Sequence, residues 1–201
     1  MLTSRIALVL AAVLSAFVAV CWATIAAFGA FPADSATAEE VAERRLGDLG
    51  LIIPRVLSFL GEPAVAAAWT VVLALIAGHR LGRRYAALVI AAAGVAVVTT
   101  TIKVLADRPR PAAGQGLDPS FPSGHTAYVT AVLGLTAILL AEHRRWRLAA
   151  GALLVIAAMG PSRVLLGVHW LSDVLAGYAI GLAWLVLVAT LGMPRARTKA
   201  R

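Results

Sequence analysis

Six long apolar runs, separated by short charged clusters, limit what this chain can fold into. A helix needs about 20 apolar residues to cross the hydrocarbon core of a bilayer. Only helices and closed barrels satisfy their own backbone there. The runs lie at about residues 6–28, 56–77, 85–105, 126–141, 146–160 and 168–191. The fourth and fifth are short by hydropathy, so either they extend into the polar loops or the bilayer thins around them. Composition agrees, with 61% hydrophobic residues, 14% charged residues and a mean hydropathy of +0.87, whereas soluble domains carry about 25% charge. The expected fold class is all-α, a polytopic membrane protein of one domain over residues 1–201 with six transmembrane helices. The first run exceeds the about 7–15 residues of a signal-peptide core and reads as an uncleaved helix; a cleaved signal is the alternative, because small residues follow it. Cys21 is the sole cysteine, so no disulfide within the chain is available.

The net charge of +8 does not mark a nucleic-acid binder. Its cations sit in short clusters between apolar runs, and no groove-reading module accompanies them. They follow the positive-inside pattern instead. Eleven of the 18 basic residues lie on one side: Arg5, the 80–84 cluster, the 144–147 cluster and the 195–201 tail. The other side holds Arg44, Arg45, Arg55, Lys103, Arg108, Arg110 and Arg163. A multi-pass protein of the cell membrane is therefore expected, with both termini cytoplasmic and the Lys103–Arg163 face extracytoplasmic. Residues 37–48 (TAEEVAERRLGD) read as a short surface helix opened by a Thr37–Glu40 capping box; an ordinary solvated helical loop is the alternative.

Three polar stretches fall at the ends of apolar runs: residues 103–111 (KVLADRPRP), 122–125 (PSGH) and 162–173 (SRVLLGVHWLSD). Charge at a membrane edge is costly and calls for a functional reason. His169 and Asp173 are four apart, which places them one turn apart on one face at the head of the sixth helix. A carboxylate there fixes the imidazole tautomer and leaves the other nitrogen as nucleophile or base, although a structural interface histidine gives the same pair. The planar fork of Arg163 suits two phosphoryl oxygens. Pro122 stops any preceding helix, Ser123 is a strong N-cap residue, and Gly124 lets an anion approach the free N–H groups of the helix end. His125 falls in that first turn. Lys103 ends the third run, where a snorkelling lysine is the plain alternative, and Pro109 and Pro111 stiffen the segment holding Arg110. Arg108 reads as an exposed loop charge, with a phosphate contact as the alternative. Asp107 and Asp118 have no evident role.

In this order, Lys-x6-Arg-Pro, Pro-Ser-Gly-His and Ser-Arg-x5-His-x3-Asp resemble the type 2 phosphatidic acid phosphatase family. The match runs through Lys103, Arg110, Pro111, Pro122, Ser123, Gly124, His125, Ser162, Arg163, His169 and Asp173 without a gap. The resemblance implies that His169 is the nucleophile, Asp173 its orienting partner and His125 the acid for the leaving oxygen. It implies a phosphate clamp of Lys103, Arg110, Arg163, Ser123 and Gly124, with no cofactor and no metal. Phosphoryl transfer needs mostly positioning and charge stabilisation, which these cations and a helix N-terminus supply. The expected partner is a lipid phosphate in the bilayer, with the site at the extracytoplasmic end of the helices; oligomeric state is left open. Undecaprenyl diphosphate is the preferred substrate, with phosphatidate or phosphatidylglycerol phosphate as the alternative. A non-catalytic lipid-phosphate binder or transporter would have lost a catalytic residue, and none is missing. The vanadium haloperoxidases share the pattern but are soluble.

Overall fold

The computed structural model describes residues 4–44, 47–111, 114 and 118–193, and every regular element among them is a helix. Six helices have the length and apolarity to cross a membrane. They are α1 (Ser4–Phe28), α4 (Pro63–Leu81), a span made of α5 (Arg83–Ala93) and α6 (Val95–Ala106), α7 (Gly124–Glu142), α8 (Trp146–Leu165) and α9 (Leu171–Gly192). Between the first two spans lie α2 (Pro32–Arg44), a 3-10 turn (Asp48–Leu51) and α3 (Ile52–Leu60).

Several boundaries differ from the sequence-based expectation, among them the end of the fifth span, which runs to Leu165 and takes in Arg163. The second span begins at Pro63, because Gly61 closes α3 and Pro63, which lacks an N–H, opens a new helix at its first position. Residues 56–60 belong to α3, which exposes Ile52, Ile53, Val56 and Phe59. The helix expected from Thr37 begins at Pro32. Thr37 lies inside it and donates to the Ala33 carbonyl at 2.6 Å, so there is no Thr37–Glu40 capping box. Asp34 takes that part, accepting the Phe31 N–H at 3.2 Å. The last span starts at Leu171, three residues later than its hydropathy suggests.

Helix α7 is the most enclosed span, with 56% of its apolar window buried. It packs against α8 and α9 and touches α5 and α6. The outer faces are apolar, as on α1 (Val9, Val13, Phe17) and α4 (Val72, Leu75, Ile76), which suits contact with lipid. Lipid is as apolar as leucine, so association between such helices depends on close packing. The α7–α9 contact meets that demand with glycine. A Cβ on Gly177 would fall 2.7 Å from the Ser123 carbonyl oxygen, and one on Gly181 2.6 Å from that of Ala127. The two helix N-termini are thereby drawn together, and the Ser123 N–H donates to the Asp173 carbonyl at 3.0 Å.

Proline shapes the neighbouring helix. Pro161 lies inside α8, where it cannot donate to the Ala157 carbonyl. Tyr178 of α9 repairs the break. Its hydroxyl lies 2.9 Å from the Ile156 carbonyl and 3.0 Å from that of Ala157, and it accepts the Gly160 N–H at 3.1 Å. The last turn of α8, which follows, carries Arg163.

Candidate active site

The three polar stretches converge where α6 and α8 end and α7 and α9 begin. Asp107 ends α6 in the left-handed region (φ 42°), and its N–H donates to the Lys103 carbonyl at 3.0 Å. Aspartate tolerates that conformation better than most residues. The turn is the role that sequence reasoning missed for Asp107: it redirects the chain into the bundle.

His169 is not on α9. It sits in the preceding turn, after Gly167 (φ 64°), and Trp170 is the extended N-cap. Asp173, the third residue of the helix, reaches back. Its Oδ2 accepts the Trp170 N–H at 3.0 Å and lies 3.3 Å from His169 Nδ1. The contact expected from helical spacing is therefore made by capping geometry. On the other side of the ring, Arg110 Nη1 lies 3.1 Å from His169 Nε2. Guanidinium only donates and carboxylate only accepts. The network therefore assigns the proton to Nδ1 and a lone pair to Nε2. Burial pushes the His169 pKa down to about 4; Asp173 opposes the shift, and the charges of Arg110 and Arg163 reinforce it. The ring is neutral at neutral pH.

Asp118 also has a position. Its Oδ2 pairs with Lys103 Nζ at 3.0 Å and its Oδ1 with Arg110 Nη2 at 2.9 Å. Burial raises the carboxyl pKa, but hydrogen bonds from Lys103 and Arg110 outweigh it and hold Asp118 below its ordinary value. Lys103 also donates to the Pro119 carbonyl. Arg110 donates to the carbonyls of Val168 (2.7 Å) and Asp118 (2.6 Å). No spacing rule links Asp118 to Lys103, so its role is not legible in the chain.

Ser123 is the N-cap residue of α7, as expected, but its side chain does not cap the helix. It accepts the Thr126 hydroxyl at 3.0 Å. Gly124 opens α7 with Lys103 close by: a Cβ there would lie 3.8 Å from Lys103 Cε. His125 packs over Gly61, where an added Cβ would fall 2.2 Å from the ring. Arg163 meets the Ser58 hydroxyl. Among the described residues, the buried side-chain atoms without a hydrogen-bond partner are His125 Nε2 and Arg163 Nε. Buried polar groups are nearly always paired, and exceptions need a reason.

Arg108 overturns its expectation. It is 3% exposed and bonded to Asp34, Ser172 and Asp173, so it is neither a solvated loop charge nor free to hold phosphate. A groove of about 470 Å³ runs between α2 and the α8–α9 connection, and of the expected site residues only His169 lines it. No group of three or more His, Cys, Asp or Glu side chains gathers as a metal site among the described residues.

Known proteins resemble this chain in sequence and in fold. The family model for the PAP2 superfamily matches residues 84–197. Decaprenylphosphoryl-5-phosphoribose phosphatase of Mycobacterium tuberculosis is 34% identical over 161 residues, covering 75% of this chain and 85% of that protein. Phosphatidylglycerophosphatase B of Bacillus subtilis is 38% identical over 77 residues, covering 34% of this chain and 37% of its own. In fold, the chain is similar to the crystal structure of a transmembrane PAP2-type phosphatidylglycerolphosphate phosphatase from Bacillus subtilis. The TM-score is 0.82 at 22% identity, covering 94% of this chain and 98% of that one. With its family match, its related phosphatases and six helices able to span a bilayer, this chain belongs to the PAP2 superfamily and is one of its membrane phosphatases.

Proposed function

We propose that this chain removes a terminal phosphate from a polyprenyl-linked lipid at the extracytoplasmic face of the cell membrane, through a phosphohistidine. The observation that carries the reading is the hydrogen-bond state of His169, with Nδ1 on Asp173 and Nε2 turned to Arg110. In the first step Nε2 attacks phosphorus and the bond to the lipid oxygen breaks. His125 protonates that leaving oxygen. Water then attacks the phosphohistidine, giving its proton to His125, and inorganic phosphate leaves with His169 restored. Lys103, Arg110, Arg163, Ser123 and the Gly124 amide stabilise the phosphoryl oxygens. The unpaired His125 Nε2 and Arg163 Nε support this division of labour, because both belong to the groups that would face the phosphate. Asp118, which pairs with Lys103 and Arg110, gives way to the substrate's own negative charge.

The polyprenyl preference rests on the Mycobacterium tuberculosis relative, whose name carries that lipid and which matches over most of both chains. Undecaprenyl diphosphate is the first substrate to assay. Phosphatidylglycerol phosphate is the second reading, favoured by the shorter match to the Bacillus subtilis phosphatase. The charge bias of the loops supports the external face. The test is phosphate release by purified protein in detergent with excess EDTA, comparing both lipids and phosphatidate, with His169→Ala as the blank. EDTA-resistant release that vanishes in the blank is expected, together with an acid-labile labelled phosphoprotein. Turnover by His169→Ala would sink the nucleophile assignment.

A further inference from the structure

We propose that Arg108 and Asp34 are positioning residues for phosphoryl transfer: together they aim the Asp173 carboxylate at His169 and keep a net negative charge behind the ring. The inference rests on the phosphohistidine reading above and adds two residues that no part of it uses.

The geometry is that of a closed network. Arg108 Nη1 donates to Asp173 Oδ1 at 2.6 Å and to Ser172 Oγ at 2.8 Å. Its Nη2 donates to Asp34 Oδ2 at 2.8 Å. Asp34 accepts the Ser172 N–H (2.8 Å) on Oδ1 and the Ser172 hydroxyl (2.7 Å) on Oδ2. Asp34, Arg108 and Asp173 are 1%, 3% and 0% exposed. The Trp170 ring covers the guanidinium, with its centroid 5.3 Å away, and the Trp170 indole N–H donates to the Pro109 carbonyl at 2.9 Å. Three chain regions far apart in sequence thus meet on one guanidinium.

Such a network is a poor way to gain stability alone, because taking charges out of water offsets most of their attraction. Its connection to the nucleophile gives it a chemical reason. Asp173 uses Oδ1 for Arg108 and Oδ2 for the His169 side, so the carboxylate has one orientation. The charge count supplies the rest. Arg108 on its own would cancel Asp173. Shared with Asp34, one cation serves two anions, and a net negative charge remains to stabilise His169 as it takes up the phosphoryl group. Asp34 also stays ionised. Burial raises its pKa, but the Arg108 and Ser172 hydrogen bonds outweigh this and hold it below the ordinary carboxylate value. Pro109 separates the arginine behind the ring from Arg110 in front of it.

The test uses the full chain in detergent and the lipid phosphate it turns over best. The variants are Arg108→Lys and Asp34→Asn, with Asp173→Asn as the reference. Lysine keeps the charge but loses the fork. Asparagine keeps the shape and one acceptor but loses the charge. We expect kcat to fall about 10–100-fold in each, the range typical for groups that orient a histidine from behind, with KM within about twofold. The acid limb of kcat/KM should move to lower pH in Asp34→Asn, because the network behind Asp173 loses a negative charge. The other charged or titratable groups facing that ring, Asp173, Arg110, Arg163 and His125, are unchanged. Inhibition by vanadate, a phosphate mimic that engages the nucleophile, should weaken in step with kcat. A merely structural role would lower the melting temperature yet leave kcat per folded molecule, the acid limb and vanadate inhibition untouched; that result overturns the proposal. Should Arg108→Lys fail to fold, the near-isosteric Asp34→Asn decides alone. Full turnover by Asp173→Asn would instead overturn the reading of the site itself.

Discussion

The two sides of the His169 ring are built on opposite principles. Behind it, Asp173, Arg108, Asp34 and Ser172 form bonds of 2.6–2.8 Å in which every charge has a partner. In front, cations crowd together, Lys103 and Arg110 lean on an exposed Asp118, and His125 Nε2 and Arg163 Nε have no hydrogen-bond partner among the described residues. Satisfied networks rigidify, whereas unsatisfied ones are costly. On the function proposed above, the rear is a frame and the front is machinery whose cost is met when a phosphate supplies the missing anion. Front and rear should respond differently to the same kind of substitution.

The sharpest break comes from the ring itself: His169→Ala should cost about a thousandfold or more in kcat, by analogy with lost nucleophiles elsewhere, measured as phosphate release. Next is His125→Ala at the front, expected to lose about 10²–10⁴-fold in kcat, the range for a general acid or base, with no loss in melting temperature. Arg108→Ala at the rear should lower stability as well as kcat. It leaves two buried carboxylates without their cation and should destabilise the fold by about 3–5 kcal/mol, read by thermal unfolding in detergent. If Arg108→Ala melted like the parent, the frame-and-machinery contrast would fail.

Two smaller effects sharpen the contrast. With His169 held at about 4 rather than 6.5, protonation removes the Nε2 lone pair only below that lower value. The acid limb of kcat/KM that reports His169 should then lie near pH 4, and a limb near 6.5 assigned to His169 would contradict its burial. The smallest effect is that of Asp118→Asn. Its pairs are partly open to solvent and weak, so removing this competing anion should strengthen vanadate inhibition by only about two- to fivefold.

Much of this was legible in the chain. Hydropathy located six spans, and three motifs named the groups that gather around His169. Boundaries shifted where backbone chemistry outweighs hydropathy: Pro63 restarts a helix inside an apolar run, and Pro32 with Asp34 opens α2 upstream of the threonine that resembles a cap. Asp118 and Arg108 were misjudged for another reason. Loop charges carry no periodicity, and a charge is solvated or buried according to what folds over it.

The sequence by itself determined the class of the protein, because apolar length answers to the bilayer, and it named the candidate side chains, because their motifs lie within short stretches. Only the tertiary structure decided how those side chains are divided. Glycines at 177 and 181 bring α9 against α7, a tyrosine meets the backbone groups beside Pro161, and the left-handed turn at Asp107 precedes Arg108 behind the histidine while Arg110 stays in front. Those outcomes depend on contacts between residues dozens of positions apart, where packing distance rather than local pattern sets the energy.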